Sequence, residues 1–482
     1  MRRLLVALAA VSMFSIPISA APARPLLLQD PTVSRTQIAF AWAGQIWIVG
    51  RDGGEARRLV AGTARESNPA FSPDGSMVAY SGDYDGNVDV YVVPSAGGQP
   101  QRLTWHPGAD VVLGWTPDGK DVVFRSPRNR TNDPQQMFRV PVGGGFPAEV
   151  PLSRVQQASY SPDGTHVAIQ PNFQWEPAWK GYRGGQTRMI WIADLADSSI
   201  VKIPQENNSN DGDPMWVGDK IYFLSDRAGS MALYAYDIPT RKVTVAVPNE
   251  GVDFSSASAG GGMIVYSQFG ALHLFDPATG RTRPVAVTVA ADLPQADPHF
   301  EEVGDDILGA DISPTGQRAV FEARGEILTV PAKKGDVRNL TNTPGAEERS
   351  PSWSPDGKWI AYFSDASGEY ALHLRNQTGL GETRVIDLGT PPSFFYDLVW
   401  SPDSKKIAYS DKRLNLWYVD LDHPKPVLVD TDLYDSPRRE FDAAWSADSR
   451  WLTYTKLLPS QLHAVYVDSL ADGKATQITD AM

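Results

Sequence analysis

Along most of the chain, apolar and polar positions alternate in short runs, the period-two pattern of strands with one buried face. Met77-Val78-Ala79-Tyr80, Val88-Asp89-Val90-Tyr91-Val92-Val93, Trp359-Ile360-Ala361-Tyr362 and Asn415-Leu416-Trp417-Tyr418-Val419 are representative. The runs are tied to one type of turn: Ser72-Pro73-Asp74-Gly75, Thr116-Pro117-Asp118-Gly119, Ser161-Pro162-Asp163-Gly164, Ser313-Pro314-Thr315-Gly316, Ser354-Pro355-Asp356-Gly357, Ser401-Pro402-Asp403-Ser404 and Ser446-Ala447-Asp448-Ser449. Pro at the second position presets φ, Asp caps the backbone and Gly tolerates positive φ. An aromatic residue precedes the turn, as in Phe71, Trp115, Tyr160, Trp353, Trp400 and Trp445. A hairpin and a Gly-rich turn such as Gly97-Gly98 follow. Arg102-Leu103-Thr104, Asn339-Leu340-Thr341 and Gln477-Ile478-Thr479 read as closing strands.

Consecutive copies lie 41–47 residues apart, with four strand-like segments each. That spacing marks the blades of β-propellers. Degenerate copies at 36–59, 216–223 and 262–266 bring the count to six units before about Val289 and four after Pro298. The expected fold is all-β, in tandem propellers. A six-bladed ring is expected over 26–289, a linker rich in Ala, Asp and Pro over 290–298, and four blades of a second ring over 299–482. Closing the ring is how a propeller hides its strand edges, and four blades do not readily close one, so the second ring reads as incomplete.

The N-terminus reads as an address. Met1-Arg2-Arg3 precedes an apolar stretch from Leu4 to Ile18, with small residues up to Ala23 for cleavage. The expectation is a secretory signal over 1–23 and a periplasmic or secreted protein, with membrane attachment only if that signal stays uncleaved. Composition narrows the chemistry. The chain has 482 residues, a formal net charge of −13 and no cysteine. The charge argues against a nucleic-acid surface. The missing cysteines exclude disulfides, thiolate metal sites and cysteine nucleophiles.

A run of ordered motifs resembles the N-terminal half of secreted bacterial tricorn-type proteases. It comprises Gly86-Asn87-Val88-Asp89-Val90-Tyr91-Val92-Val93-Pro94, Arg102-Leu103-Thr104-Trp105-His106-Pro107-Gly108-Ala109-Asp110, Gly114-Trp115-Thr116-Pro117-Asp118-Gly119, Tyr182-Arg183-Gly184-Gly185 and Pro214-Met215-Trp216-Val217-Gly218. The resemblance implies a six-bladed propeller and then a seven-bladed one, of which this chain carries four blades. It also implies a PDZ-like domain and catalytic domains further on, so no catalytic residue is carried over and no cofactor or metal is expected. The implied role is non-catalytic: binding or channelling peptides, or unfolded polypeptide, toward catalytic domains, with a separately encoded catalytic half among the partners the resemblance allows. The turn motif alone also occurs in Tol-associated periplasmic propellers, which leaves an envelope protein-interaction module as the alternative.

Direct inspection for chemistry agrees with a non-catalytic role. No Gly-x-Ser-x-Gly elbow occurs, and the seven histidines are scattered without zinc spacing. Asp83-Tyr84-Asp85-Gly86-Asn87-Val88-Asp89 has the alternating oxygens of a calcium loop, but the equivalent hairpins of other units lack the acids, which favours a solvated turn. Two basic segments stand out. Arg128 and Arg130 lie in the loop Arg125-Ser126-Pro127-Arg128-Asn129-Arg130, and guanidinium groups there suit a peptide's C-terminal carboxylate. Lys180 and Arg183 lie with Trp175, Trp179 and Tyr182 in an insertion over 172–188, suited to a peptide or a neighbouring domain.

Overall fold

The computed structural model describes residues 26–290, 300 and 302–481, apart from Thr63, 130–134, Ser153, 174–180, Glu250, Pro344 and 435–440. The signal segment, nearly all of the linker, Arg130, Lys180, Trp175 and Trp179 therefore lie outside the described residues.

Among the described residues the alternating runs form ten sheets, nine of four antiparallel strands and one of five whose fifth strand is parallel. Six sheets occupy 29–58, 65–102, 111–149, 157–202, 211–247 and 254–285; four more occupy 307–339, 348–386, 395–431 and 444–477. Within every sheet the strands follow chain order, so each is a meander. The turns between first and second strands satisfy themselves. Ser72 Oγ donates to Asp74 Oδ1 at 2.6 Å and accepts the Met77 N–H at 3.0 Å, while the Gly75 N–H closes on the Ser72 carbonyl at 2.8 Å. The same bonds recur in the turns at Ser161, Ser354 and Ser401. The hydroxyls of Ser72 and Ser161, joined by the N–H and hydroxyl groups of Ser76 and Thr165, hold the Asp74 and Asp163 carboxyls down at about 2.

The apolar faces meet between sheets. Six cores fill the contacts among the first six sheets, including one between the sixth and the first that joins Ile38, Phe40 and Trp47 to Val265, Leu272 and Leu274. Three cores fill the contacts among the last four sheets. Each fully buried Phe, Ile or Val in these layers contributes about 1.5–3 kcal/mol. Beside the junction of sixth and first sheets, Val287–Val289 adds a parallel fifth strand to the first sheet, with Val287 opposite Gly54 and Val289 opposite Ala56. A Cβ on Gly53 would lie 2.3 Å from the Ala286 carbonyl oxygen, so only glycine admits this strand.

The closing segments are strands that stop short of their expected last residue. Regular strand assignment ends at Arg102, Asn339 and Gln477. One more ladder bond follows, from the N–H groups of Leu103, Leu340 and Ile478 to the carbonyls of Val90, Ile327 and Val465. A threonine side chain then takes over: the N–H groups of Val90, Ile327 and Val465 donate to Oγ1 of Thr104, Thr341 and Thr479, each at 3.0 Å. The apolar residue between turns inward as a wedge. Leu103 is 0% exposed and Leu340 2%, each within the core shared with the next sheet. Ile478, at the same position of the tenth sheet, is 57% exposed.

Candidate functional site: the channel of the first domain

The first strand of each sheet is its inner edge, and the six inner strands of the first domain surround a channel. A cavity of ≈ 530 Å³ opens there, lined by residues from the first to the sixth sheet. Several inner strands carry a β-bulge, seen as a register shift between Gln29 and Thr32, Ser67 and Ala70, and Gly212 and Met215. At each of these bulges one residue takes left-handed backbone: Asp30 (φ 46°), Asn68 (φ 50°) and Asp213 (φ 51°). Asp and Asn tolerate that conformation better than other residues with a Cβ. Proline follows each one (Pro31, Pro69, Pro214), as is tolerated where an edge strand needs no N–H for a neighbour. A bulge re-aims side chains, and here it places polar groups on the channel wall.

The charges on that wall are of one sign. Asp30 and Asp213 line the cavity, and no Lys, Arg or His does so among the described residues. Burial pushes the Asp213 carboxyl up to about 6. Arg188 and the Ala257 N–H oppose that rise, and the Asp30 charge adds to it. Burial also raises Asp30, against an N–H from Asn68. The opposite mouth is ringed by turn prolines Pro73, Pro117 and Pro162, with Trp115, Tyr160 and Trp216 behind them.

Arg128 and Arg183, the two described members of the basic set singled out in the sequence, lie elsewhere. Arg128 donates to Asp110 Oδ2 at 2.6 Å and to Ser126 Oγ at 3.0 Å, and its guanidinium sits 5.0 and 4.9 Å from the Phe124 and Phe138 rings. Arg227, two sheets later, repeats this arrangement with Asp211 (3.0 Å), Ser225 (3.0 Å), Phe223 and Tyr234. A peptide carboxylate at Arg128 would therefore compete with a fully buried aspartate. Arg183 donates to Asp226 Oδ2 at 2.8 Å.

The described end of the 172–188 insertion also meets the second domain. A Cβ on Gly181 would lie 3.4 Å from Ser393 Oγ and 3.5 Å from Arg413 Cζ. Nearby, Gly368 packs so closely on Val252 that a Cβ would fall 2.2 Å from its Cγ2. On both sides these contacts come from hairpins joining second to third strands, or from the connection leading into an inner strand. The two domains thus meet through corresponding ends, the end at which Asp30 and Asp213 enter the channel.

Other candidates are accounted for within the fold. Asp85 and Asp89 both pair with Arg102, at 3.1 and 2.5 Å. His273 stacks on Tyr266, and His373 lies against Tyr362; burial lowers both imidazoles. Among the described residues, no group of three His, Asp or Glu side chains stands in a metal-binding arrangement.

Comparison with known proteins places this architecture. Residues 25–281 match the tricorn protease N-terminal beta propeller domain, and residues 307–482 match the tricorn protease second beta propeller domain. The chain belongs to the tricorn protease family and corresponds to its non-catalytic propeller portion. It is 28% identical to tricorn protease homolog 1 of Streptomyces coelicolor over 469 residues, covering 95% of this chain and 43% of that protein. It is 25% identical to the tricorn protease homolog of Saccharolobus solfataricus over 463 residues, covering 93% of this chain and 41% of that protein. The crystal structure of the tricorn protease aligns with a TM-score of 0.49 at 20% identity, over 95% of this chain and 45% of the other. The chain thus spans about two fifths of the length of these curated relatives.

Proposed function

We propose that this chain is the peptide-admitting part of a tricorn-type protease, holding extended peptides in the first channel for catalytic domains that lie on further sequence or on a separately encoded half. The observation that carries the reading is the polar channel: a cavity of ≈ 530 Å³ walled by bulged inner strands and lined by serine and threonine hydroxyls, with no histidine or lysine beside them among the described residues. In this reading the first six sheets are a closed six-bladed propeller, since six sheets share six cores. The last four share three, and the exposed Ile478 marks the face where a further blade of an expected seven would seat. Residues 1–23 have the form of a secretory leader, which supports a periplasmic or secreted location in this reading.

The test is calorimetric titration of the purified chain with uncharged acetylated, amidated tetrapeptides, followed by mass analysis of the peptide. Saturable binding with the peptide recovered intact is expected. Hydrolysis by the chain alone, or no binding, would overturn the reading.

A further inference from the structure

We infer that the first channel selects its occupant by charge: it favours peptides bearing amines or guanidinium groups and disfavours those bearing carboxylates. This rests on the reading that the channel admits peptides, and it adds which peptides are admitted.

The channel itself carries the argument. Its wall is built from inner strands whose only charged side chains along the cavity, among the described residues, are the carboxylates of Asp30 and Asp213. Both sit at bulges in left-handed backbone, so the fold fixes where they point. Asn68 holds the equivalent place between them in sequence order and offers a neutral oxygen acceptor. The remaining wall is uncharged, formed by Pro31, Pro69 and Pro214 with hydroxyls such as those of Ser159 and Ser255. In a concave passage lined by a single sign of charge, the potential raises the local concentration of the opposite ion. The nearby cation is already committed: Arg188 interacts with Asp213 from outside the wall and also with Asp211, Asp226 and Asp253. An entering carboxylate therefore meets no cation in the passage, whereas an entering amine meets two carboxylates.

The experiment uses the full chain and three probes: Ac-Ala-Lys-Ala-Lys-NH2, Ac-Ala-Gln-Ala-Gln-NH2 and Ac-Ala-Glu-Ala-Glu-NH2, each titrated at pH 8 in low salt. The lysine peptide is expected to bind about tenfold tighter than the glutamine peptide, with the glutamate peptide weakest and the differences shrinking in 0.5 M salt. The double substitution Asp30→Asn with Asp213→Asn keeps a residue suited to the left-handed backbone and should erase the preference. Asn68→Asp, adding a third carboxylate to the wall, should widen it, which keeps the inference testable if the double variant folds poorly. Equal affinities for the three peptides, or a preference unmoved by these substitutions, would overturn the charge selection while leaving peptide admission standing. Failure of all three peptides to bind would overturn both.

Discussion

Asp213 is held in a place that suits its neutral form, and that has a consequence for pH. Its carboxyl is raised to about 6, chiefly by burial, although Arg188 opposes the rise. In the unfolded chain the same group titrates near 3.8. Between those two values the folded state binds the proton more tightly, so this group's contribution to stability falls as pH rises through that window. Asp213→Asn removes the titration. The variant should melt at progressively higher temperature than the parent as pH goes from 4 to 7, with the gap constant above that. A gap that shrank with rising pH would contradict the burial argument. Arg128 gives a second residue-scale outcome. It is paired with fully buried Asp110, whose other oxygen has no hydrogen-bond partner. Arg128→Ala should cost about 3–5 kcal/mol in urea unfolding by stranding that carboxylate. A residue serving only as a carboxylate anchor would instead lose peptide affinity with stability unchanged. Sequence reading drew attention to Arg128 through its basic loop. It had no means to see Asp110, eighteen positions upstream, folded against it.

At the scale of the element, the turns and the alternating strands were legible because their causes are local. The Ser72–Asp74 turn closes within six residues, and strand alternation needs only one buried face. Only the last residue of each closing segment was misread, because its pairing is made by a side chain. Leu103 still donates its N–H to the Val90 carbonyl and turns its side chain inward as a wedge, while Thr104 Oγ1 takes the buried Val90 N–H. Thr104→Val should therefore cost about 1–3 kcal/mol, as an unsatisfied buried donor does. Thr479→Val removes the same bond on the last sheet, where Ile478 is more than half exposed, and should cost less. Equal losses in thermal melts of the two variants would contradict the wedge account. The channel bulges escaped notice too, although Asp30-Pro31, Asn68-Pro69 and Asp213-Pro214 repeat at the start of inner strands. A polar residue before proline near a strand start is a usable sign of a bulged inner edge.

For the whole molecule, the repeat pattern conveyed the sequence of sheets and the expectation of a first ring, but not which residues join its ends. That the sixth sheet packs on the first, through a core joining Phe40 to Leu274 and beside the strand Val287–Val289, is a long-range fact. So is the meeting of the two domains through Gly181, Gly368 and Arg413. Both bear on the claim that the first channel is where peptide is held. The most direct measurement places a photo-crosslinking side chain at Ser255, on the channel wall, and separately at exposed Lys242 on an outer strand, then irradiates with a labelled uncharged peptide. The account predicts capture of intact peptide at position 255 and none above background at 242. Capture at 242 equal to that at 255, or recovery of cleaved peptide, would contradict it.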